Sequence, residues 1–244
     1  MQCVILAGGL ATRMRPITEM VPKALISVAG RPFIDHQLEW LVRHDVARVL
    51  LSIGYRGEML RAHVGDGARY GLAVSYVDEG VDLRGTAGAL RLALEHGALE
   101  DAFLVTYGDS FLPIDFGDVW TRFQRSGRPA LMTVFRNEGR WDTSNVIFEP
   151  AATTAHEGTV ALYDKRRETR PAEDFAYIDY GLSALERRLV ETEVPATGKA
   201  DLADLFHTLS VRGQLAGLEV RERFHEIGSP EGLAEMGTWI AARR

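Results

Sequence analysis

Several residues of this 244-residue chain that could do chemistry stand at the ends of apolar runs. Gly8 and Gly9 directly follow Gln2-Cys3-Val4-Ile5-Leu6-Ala7, and Leu10, Ala11, Thr12, Arg13, Met14 and Arg15 complete the segment. Adjacent glycines let backbone approach a ligand and turn N–H groups toward anionic oxygens. Arg13 and Arg15 could add bidentate contacts to a phosphate. A tight turn with no ligand is the other reading, and neither Gly-x-Gly-x-x-Gly nor the Gly-Lys-Ser/Thr ending of a nucleotide P-loop is present. Asp109 follows the apolar run Phe103–Tyr107 and a glycine. A carboxylate just past a strand end suits Mg²⁺, or caps the next turn. Among the basic residues only Lys23, Lys165 and Lys199 are lysine, against 25 arginines. Genome composition explains the bulk preference but not which sites stay lysine.

The elements that must position these groups alternate. Residues 2–7, 48–53, 73–77, 102–107 and 130–135 read as strands, the first two apolar enough to be buried on both faces. Between them, 32–44, 58–64, 87–94 and 116–125 carry helical spacing. That alternation predicts an α/β, Rossmann-like fold: a mostly parallel sheet with helices on both faces. In such sheets ligands bind beyond the carboxyl ends of the strands, where Gly8 and Asp109 fall. The later chain is less regular. Strands at 145–149, 159–163 and 175–183 predict a small antiparallel insertion, followed by a helix at 202–211 and a strand at 218–224. Ser229-Pro230-Glu231 reads as an N-cap, a proline at the first helical position and an acidic first turn, opening a last helix that ends near Arg243. One domain over 1–244 is the simplest organisation: 1–135 as a nucleotide-binding half, 136–228 as a second part and 229–244 as the closing helix.

Composition narrows the function. The chain is 25% charged and 46% hydrophobic, which is globular. Twenty-eight basic against 34 acidic side chains give −6, a poor balance for nucleic acid or an anionic membrane. The lone Cys3 forms no internal disulfide and suggests a reducing compartment, so a cytoplasmic location is expected. No run approaches the ~20 apolar residues of a membrane span.

The string Leu6-Ala7-Gly8-Gly9-Leu10-Ala11-Thr12-Arg13-Met14-Arg15-Pro16, followed by Pro22-Lys23, resembles the signature of the sugar-1-phosphate nucleotidyltransferases. The resemblance continues through Gly30–Ile34, Gly85–Ala89, Tyr107-Gly108-Asp109, Tyr163-Asp164-Lys165 and Glu226–Pro230. It is closest in character to short members that activate mannose-, heptose- or muramic-acid-type sugar phosphates. It implies a Mg²⁺-dependent enzyme. A nucleoside monophosphate passes from a nucleoside triphosphate to a sugar-1-phosphate, and pyrophosphate is released.

The resemblance also implies roles. Arg13 would grip the triphosphate, and Lys23 would reach the α-phosphate and the attacking oxygen. Leu6, Ala7, Gly8, Gly9, Thr12, Glu79, Gly85, Thr86, Gly88 and Asp109 would surround the nucleotide. Lys165 would hold the phosphate of the sugar, with Asn145, Asp164, Tyr180 and Gly181 around the sugar. Asp109 and Glu226 would hold the metal. Two departures stand out. Ala11 replaces the usual glycine, costing about 1 kcal/mol if that position needs positive φ. Glu226 replaces the usual Asp, one methylene longer. Base and sugar are not legible; overall likeness leans toward GTP with a heptose- or mannose-type 1-phosphate, with uridylyl or thymidylyl transfer as the alternative. A non-catalytic nucleotide-sugar-binding regulator is the competing class. A metal-dependent glycosyltransferase would want Asp-x-Asp where Gly108-Asp109-Ser110 stands. A cytidylyltransferase for a choline-like phosphate would want an aromatic cage. Assembly is open, with a homodimer as the candidate.

Overall fold

The computed structural model describes residues 1–9, 14, 17–137, 139–141, 143–152 and 154–243, without the side chain of Ile17. Thr12 and Arg13, and with them Leu10, Ala11 and Arg15, lie outside the described residues. In the first half, β1 (Gln2–Leu6) leads to α1 (Ile17–Met20), the short pair β2 (Ser27–Val28) and β3 (Arg31–Pro32), and α2 (Phe33–Arg43). Then β4 (Arg48–Ile53), α3 (Gly57–Val64), β5 (Ala73–Asp78), α4 (Gly85–Glu95) and β6 (Ala102–Tyr107) follow in the expected alternation. Next come β7 (Ser110–Phe111), α5 (Phe116–Ser126) and β8 (Ala130–Arg136). The later chain gives β9 (Val146–Ala151), β10 (Thr154–Tyr163), β11 (Tyr177–Glu186), α6 (Arg187–Glu193), α7 (Leu202–Val211), β12 (Leu215–Val220), β13 (His225–Glu226) and α8 (Pro230–Ala241).

Nine strands form one sheet in the order β5-β4-β1-β6-β11-β8-β12-β10-β9. The first four run parallel, and β1 is fully flanked by β4 and β6. Strands β1 and β4 of such a sheet need apolar residues on both faces, and Val4, Ile5, Leu50, Leu51 and Ile53 are indeed completely buried. One apolar cluster packs under α4, α6 and α7, and another under α2, α3 and α5, so the sheet is covered on both sides.

The expected antiparallel strands join the same sheet. β11 runs antiparallel between β6 and β8, in the middle of the sheet, while β9 and β10 extend its far edge. The 1–135 and 136–228 parts therefore share one sheet. The strand expected at 218–224 forms earlier, at 215–220, because β12 pairs parallel with β8 from Leu215↔Ala130 to Val220↔Phe135. The residues after it leave the sheet for a second ladder, in which β13 pairs with β7 as His225↔Phe111 and Glu226↔Ser110. Helix starts follow local chemistry. The Asp115 carboxylate accepts the N–H groups of Gly117 and Asp118 at α5, and the Ser229 hydroxyl accepts that of Gly232 at α8.

Candidate active site

A cleft of about 390 Å³ opens where β1, β4 and β6 end, bounded by Leu6, Ala7, Gly8 and Gly9 on one side and Tyr107, Gly108 and Asp109 on the other. Its location follows from the parallel pairing. The Ala7 N–H donates to Ser52 O (2.8 Å) and the Gly108 N–H to Leu6 O (2.9 Å), so the three strand ends are tied level.

The far wall carries Glu79, Leu83, Gly85 and Thr86. Glu79 crosses toward the glycine turn. Its Oε1 accepts from Ser52 Oγ (3.3 Å) and its Oε2 from the Arg84 N–H (3.0 Å). A Cβ placed on Gly8 would stand 2.6 Å from Glu79 Oε1, so any larger residue there would push the carboxylate back. Burial raises the Glu79 carboxyl above its usual range, against the Arg84 N–H and the Ser52 hydroxyl, which pull it down. Gly85 opens α4 at φ +79°, and a Cβ there would meet Ala200 O at 2.5 Å. Gly88 is expected at the nucleotide. It faces the 198–200 segment instead of the cleft, and its N–H, like that of Ala87, donates to Ala200 O. Thr86 lines the cleft, but its hydroxyl donates to Asp201 Oδ1 and accepts the Leu202 N–H, clipping α4 to the start of α7.

At the mouth stands the Lys23–Asp109 pair, Nζ to Oδ2 2.6 Å, with side chains 14% and 32% exposed. Lys23 opens a short 3-10 turn after Pro22, whose fixed φ of −62° brings the chain back across the strand ends. The β7–β13 ladder brings Glu226 here from the far end of the sequence. Beyond the Glu226↔Ser110 pair, the Ile227 N–H donates to Asp109 O at 3.0 Å. A Cβ on Gly228 would be 3.4 Å from Lys23 Nζ and 4.0 Å from Glu226 Oε2, which puts both charged groups around one small residue. Two hard oxygen donors around one small residue fit Mg²⁺, which usually takes one or two protein carboxylates and completes its shell from water and other oxygens. No cluster of three or more His, Cys, Asp or Glu side chains suited to a metal occurs among the described residues.

The residues expected around the sugar divide. Lys165 is exposed and reaches Asp201 Oδ2 at 3.6 Å, and Asp201 in turn holds Thr86, so Lys165 adjoins the α4 wall of the cleft. Asp164 is expected beside the sugar. It is 6% exposed, and its carboxylate accepts the N–H groups of Arg166, Arg167, Glu168 and Thr169 and the Thr169 hydroxyl. Burial pushes this carboxyl up, but those hydrogen bonds, Thr169 first, carry it below its usual range. Asp164 shapes the loop that presents Lys165. Asn145 spends its Oδ1 on the Asp179 N–H (3.1 Å), which leaves its amide nitrogen as the end able to meet a hydroxyl. Tyr180 is also expected around the sugar. Its side chain is 2% exposed in the core, edge-on to Phe224, because strand alternation turns it away from the face of Gly181. Gly181 sits in the irregular stretch between Asp179 and Ser183, and a Cβ there would lie 3.8 Å from Tyr107.

Two acids escaped the sequence reading. Asp201 caps α7 through the Ala203 N–H (3.0 Å) and joins Thr86 to Lys165. An acid just before a helical pattern was the available signal. Asp179 is desolvated, which raises its carboxyl to about 6 against the Gly181 N–H and the nearby Lys165 charge. Its position opposite Tyr180 in the alternation was the clue.

A family model described as "Nucleotidyl transferase" matches residues 2–145. The chain belongs to that family. The β catalytic subunit of mannose-1-phosphate guanylyltransferase from Danio rerio is 28% identical over 233 residues, which is 95% of this chain and 62% of that protein. Glucose-1-phosphate thymidylyltransferase from Streptomyces antibioticus is 38% identical over 132 residues, covering 53% of this chain and 36% of the relative. This member of the family thus spans about three fifths of the guanylyltransferase relative's length. Among solved structures, a UDP-glucose pyrophosphorylase complexed with UDP-glucose superposes with a TM-score of 0.79 at 16% identity, over 100% of this chain and 99% of the other, a likeness of fold. No helix among the described residues is long and apolar enough to cross a membrane.

Proposed function

We propose that this chain transfers a nucleoside monophosphate from a nucleoside triphosphate to a sugar-1-phosphate, with GTP as donor and a mannose- or heptose-type 1-phosphate as acceptor. The observation that carries the reading is the Lys23–Asp109 pair at the mouth of the glycine turn, with Glu226 beside it. An oxygen of the sugar phosphate attacks the α-phosphorus in line. One P–O bond forms, the bond from the α-phosphorus to the bridging oxygen breaks, and its electron pair leaves with pyrophosphate. Two polyanions must approach, so positioning and charge neutralisation are the main tasks. Lys23 supplies a mobile cation between attacking oxygen and α-phosphate, and Lys165 one for the acceptor phosphate. Backbone groups of 6–9 hold the base and ribose. Asp109 and Glu226 would hold Mg²⁺, which when bound neutralises charge on the triphosphate.

Glu79 supports the guanine reading. A carboxylate is acceptor-only, and guanine presents two adjacent donors, N1–H and N2–H₂. Uracil and thymine present one N–H between two carbonyl oxygens that the carboxylate would repel. The relatives named above include a guanylyltransferase and a thymidylyltransferase, so the base rests on Glu79 and on overall likeness. A matrix assay of pyrophosphate release, five triphosphates against a panel of sugar-1-phosphates, tests it. Release is expected with GTP and a mannose- or heptose-type acceptor. Binding without release for every pair would favour the regulator reading.

A further inference from the structure

Gln37 sits on the buried face of α2, 5% exposed, on the same apolar stripe as Ile34, Leu38 and Leu41. That spacing makes the position a core one, so a glutamine there must find partners for its amide. Its Nε2 donates to Tyr107 O at 3.0 Å and to Ser110 O at 2.7 Å, which uses both of its hydrogens. These two carbonyls bracket Gly108 and Asp109, so one amide nitrogen spans the turn that carries the Asp109 carboxylate. The register explains why the Ser110 carbonyl is available. The Ile227 N–H donates to Asp109 O, which makes Ser110↔Glu226 the next, non-hydrogen-bonded pair of the β7–β13 ladder and turns the Ser110 carbonyl away from β13. The ladder holds one side of the turn, and α2 holds the other. Trp40, three residues on along the same face of α2, adds a donation from Nε1 to Ile114 O at 3.0 Å. The other end of the Gln37 amide is also informative. Gln37 Oε1 and Thr106 Oγ1 are both buried without a hydrogen-bond partner among the described residues, and both residues line a cavity of about 10 Å³. That is room for one water with a polar partner on each side.

We propose that Gln37 is a positioning residue for the transfer reaction: its amide fixes the 107–110 turn and so holds the Asp109 carboxylate in place beside Lys23 and Glu226, while one buried water joins Gln37 Oε1 to the Thr106 hydroxyl. The inference rests on the proposed metal role of Asp109 and Glu226. Gln37 itself touches neither metal nor substrate. It acts through backbone, by removing freedom from the turn on the side that the ladder leaves open. Mg²⁺ demands near-octahedral geometry, so two carboxylates from distant parts of the chain must keep their separation to share it. Groups that orient metal ligands in this way typically contribute ten-fold or more to affinity or activity.

Gln37→Met keeps the side-chain volume and removes both donors. Mn²⁺, followed through its free electron paramagnetic resonance signal, is the metal probe. Its dissociation constant should rise about ten-fold or more in Gln37→Met, as in Asp109→Asn. In Ile34→Ala, which loosens the same helix but makes no hydrogen bond to the turn, it should change by less than about two-fold. Hydrogen exchange of the Ile227 amide, measured without metal, should quicken about ten-fold or more in Gln37→Met and not in Ile34→Ala. With substrates, Gln37→Met should lower kcat and raise the Mg²⁺ requirement, while KM for the sugar phosphate stays within about two-fold. Gln37→Asn, whose amide stops one methylene short, should move every readout in the same direction and replaces Gln37→Met if that variant does not fold. Equal changes in Gln37→Met and Ile34→Ala would reduce Gln37 to packing and overturn the proposal. Mn²⁺ binding unchanged in Asp109→Asn would defeat the metal reading instead. The positioning of the turn is then decided by the Ile227 exchange, where no difference between Gln37→Met and the parent overturns it. A crystal structure should show a water within hydrogen-bond distance of Gln37 Oε1 and Thr106 Oγ1, and a dry or collapsed cavity overturns that part.

Discussion

Lys23 Nζ and Asp109 Oδ2 meet at 2.6 Å although the two residues come from different strand–turn units. The pair joins the only lysine of the first half of the chain to the acid two residues beyond β6. Without substrate each neutralises the other. In the proposed reaction, bound phosphates would give the ammonium a stronger anionic partner and free the carboxylate for a cation.

Lys23→Ala should lower kcat by about 10² or more, since one preorganised charge at a developing anion contributes on that scale. The fold should persist, because Lys23 lies outside the apolar clusters. Steady-state kinetics with circular dichroism checks both, and near-normal turnover would remove Lys23 from the mechanism.

Activity should disappear on chelation and return with Mg²⁺. In Asp109→Asn the Mg²⁺ concentration for half-maximal rate should rise about ten-fold or more, as expected on losing a charged oxygen ligand. Glu226→Gln should move it in the same direction. A chelator-resistant rate would refute the metal assignment.

Glu79→Gln should shift donor preference from GTP toward UTP or dTTP by roughly ten-fold in kcat/KM ratio. The amide offers one acceptor and one donor, which suits the N3–H and O4 edge of a pyrimidine and wastes one guanine donor. An unchanged ratio would mean that the backbone alone reads the base.

Asp164→Ala should cost about 2 kcal/mol or more, because four backbone N–H groups and a hydroxyl lose their acceptor together. The loop that presents Lys165 then loosens, so KM for the sugar phosphate should rise more than KM for the triphosphate. Thermal denaturation and two-substrate kinetics would show it. Equal changes in both KM values would separate Lys165 from the acceptor.

Asp179 carries a pH signature. Its carboxyl moves from an ordinary 3.8 to about 6 on folding, so the folded state holds the proton more tightly than the unfolded chain. Stability contributed by this group therefore falls as pH rises from about 4 to 6 and the penalty is full above that, on the order of 3 kcal/mol at about 1.4 kcal/mol per pKa unit. Asp179→Asn keeps an oxygen for the Gly181 N–H and should raise Tm at pH 7.5, with little change at pH 4. An equal change in Tm at both pH values would contradict a desolvated carboxylate.

Much of the first half was legible because its signals are local. Apolar runs with Gly8 and Asp109 at their ends gave the parallel strands and the edge where the cleft opens, and the Ser229-Pro230 start of α8 was readable from capping chemistry alone. The second half was harder. β11 crosses to the middle of the sheet and pairs with strands on both sides, and no local pattern announces a partner so distant in sequence. Asp164 and Tyr180 stand in matching motifs, yet one closes a loop and the other fills the core. Side-chain direction and hydrogen-bond partners depend on neighbours that a motif does not contain.

By itself the sequence determined the family signature, the alternation that builds β1, β4, β5 and β6, and the residue types able to neutralise phosphates. Only the tertiary structure decided that Glu226 joins Asp109 through a two-residue ladder, that Glu79 faces Gly8, and that Asp201 links Thr86 to Lys165. The physical reason is the same in each case. Propensity and periodicity act over a few residues, whereas the distance between two charges far apart in the chain is fixed by the packing of everything between them.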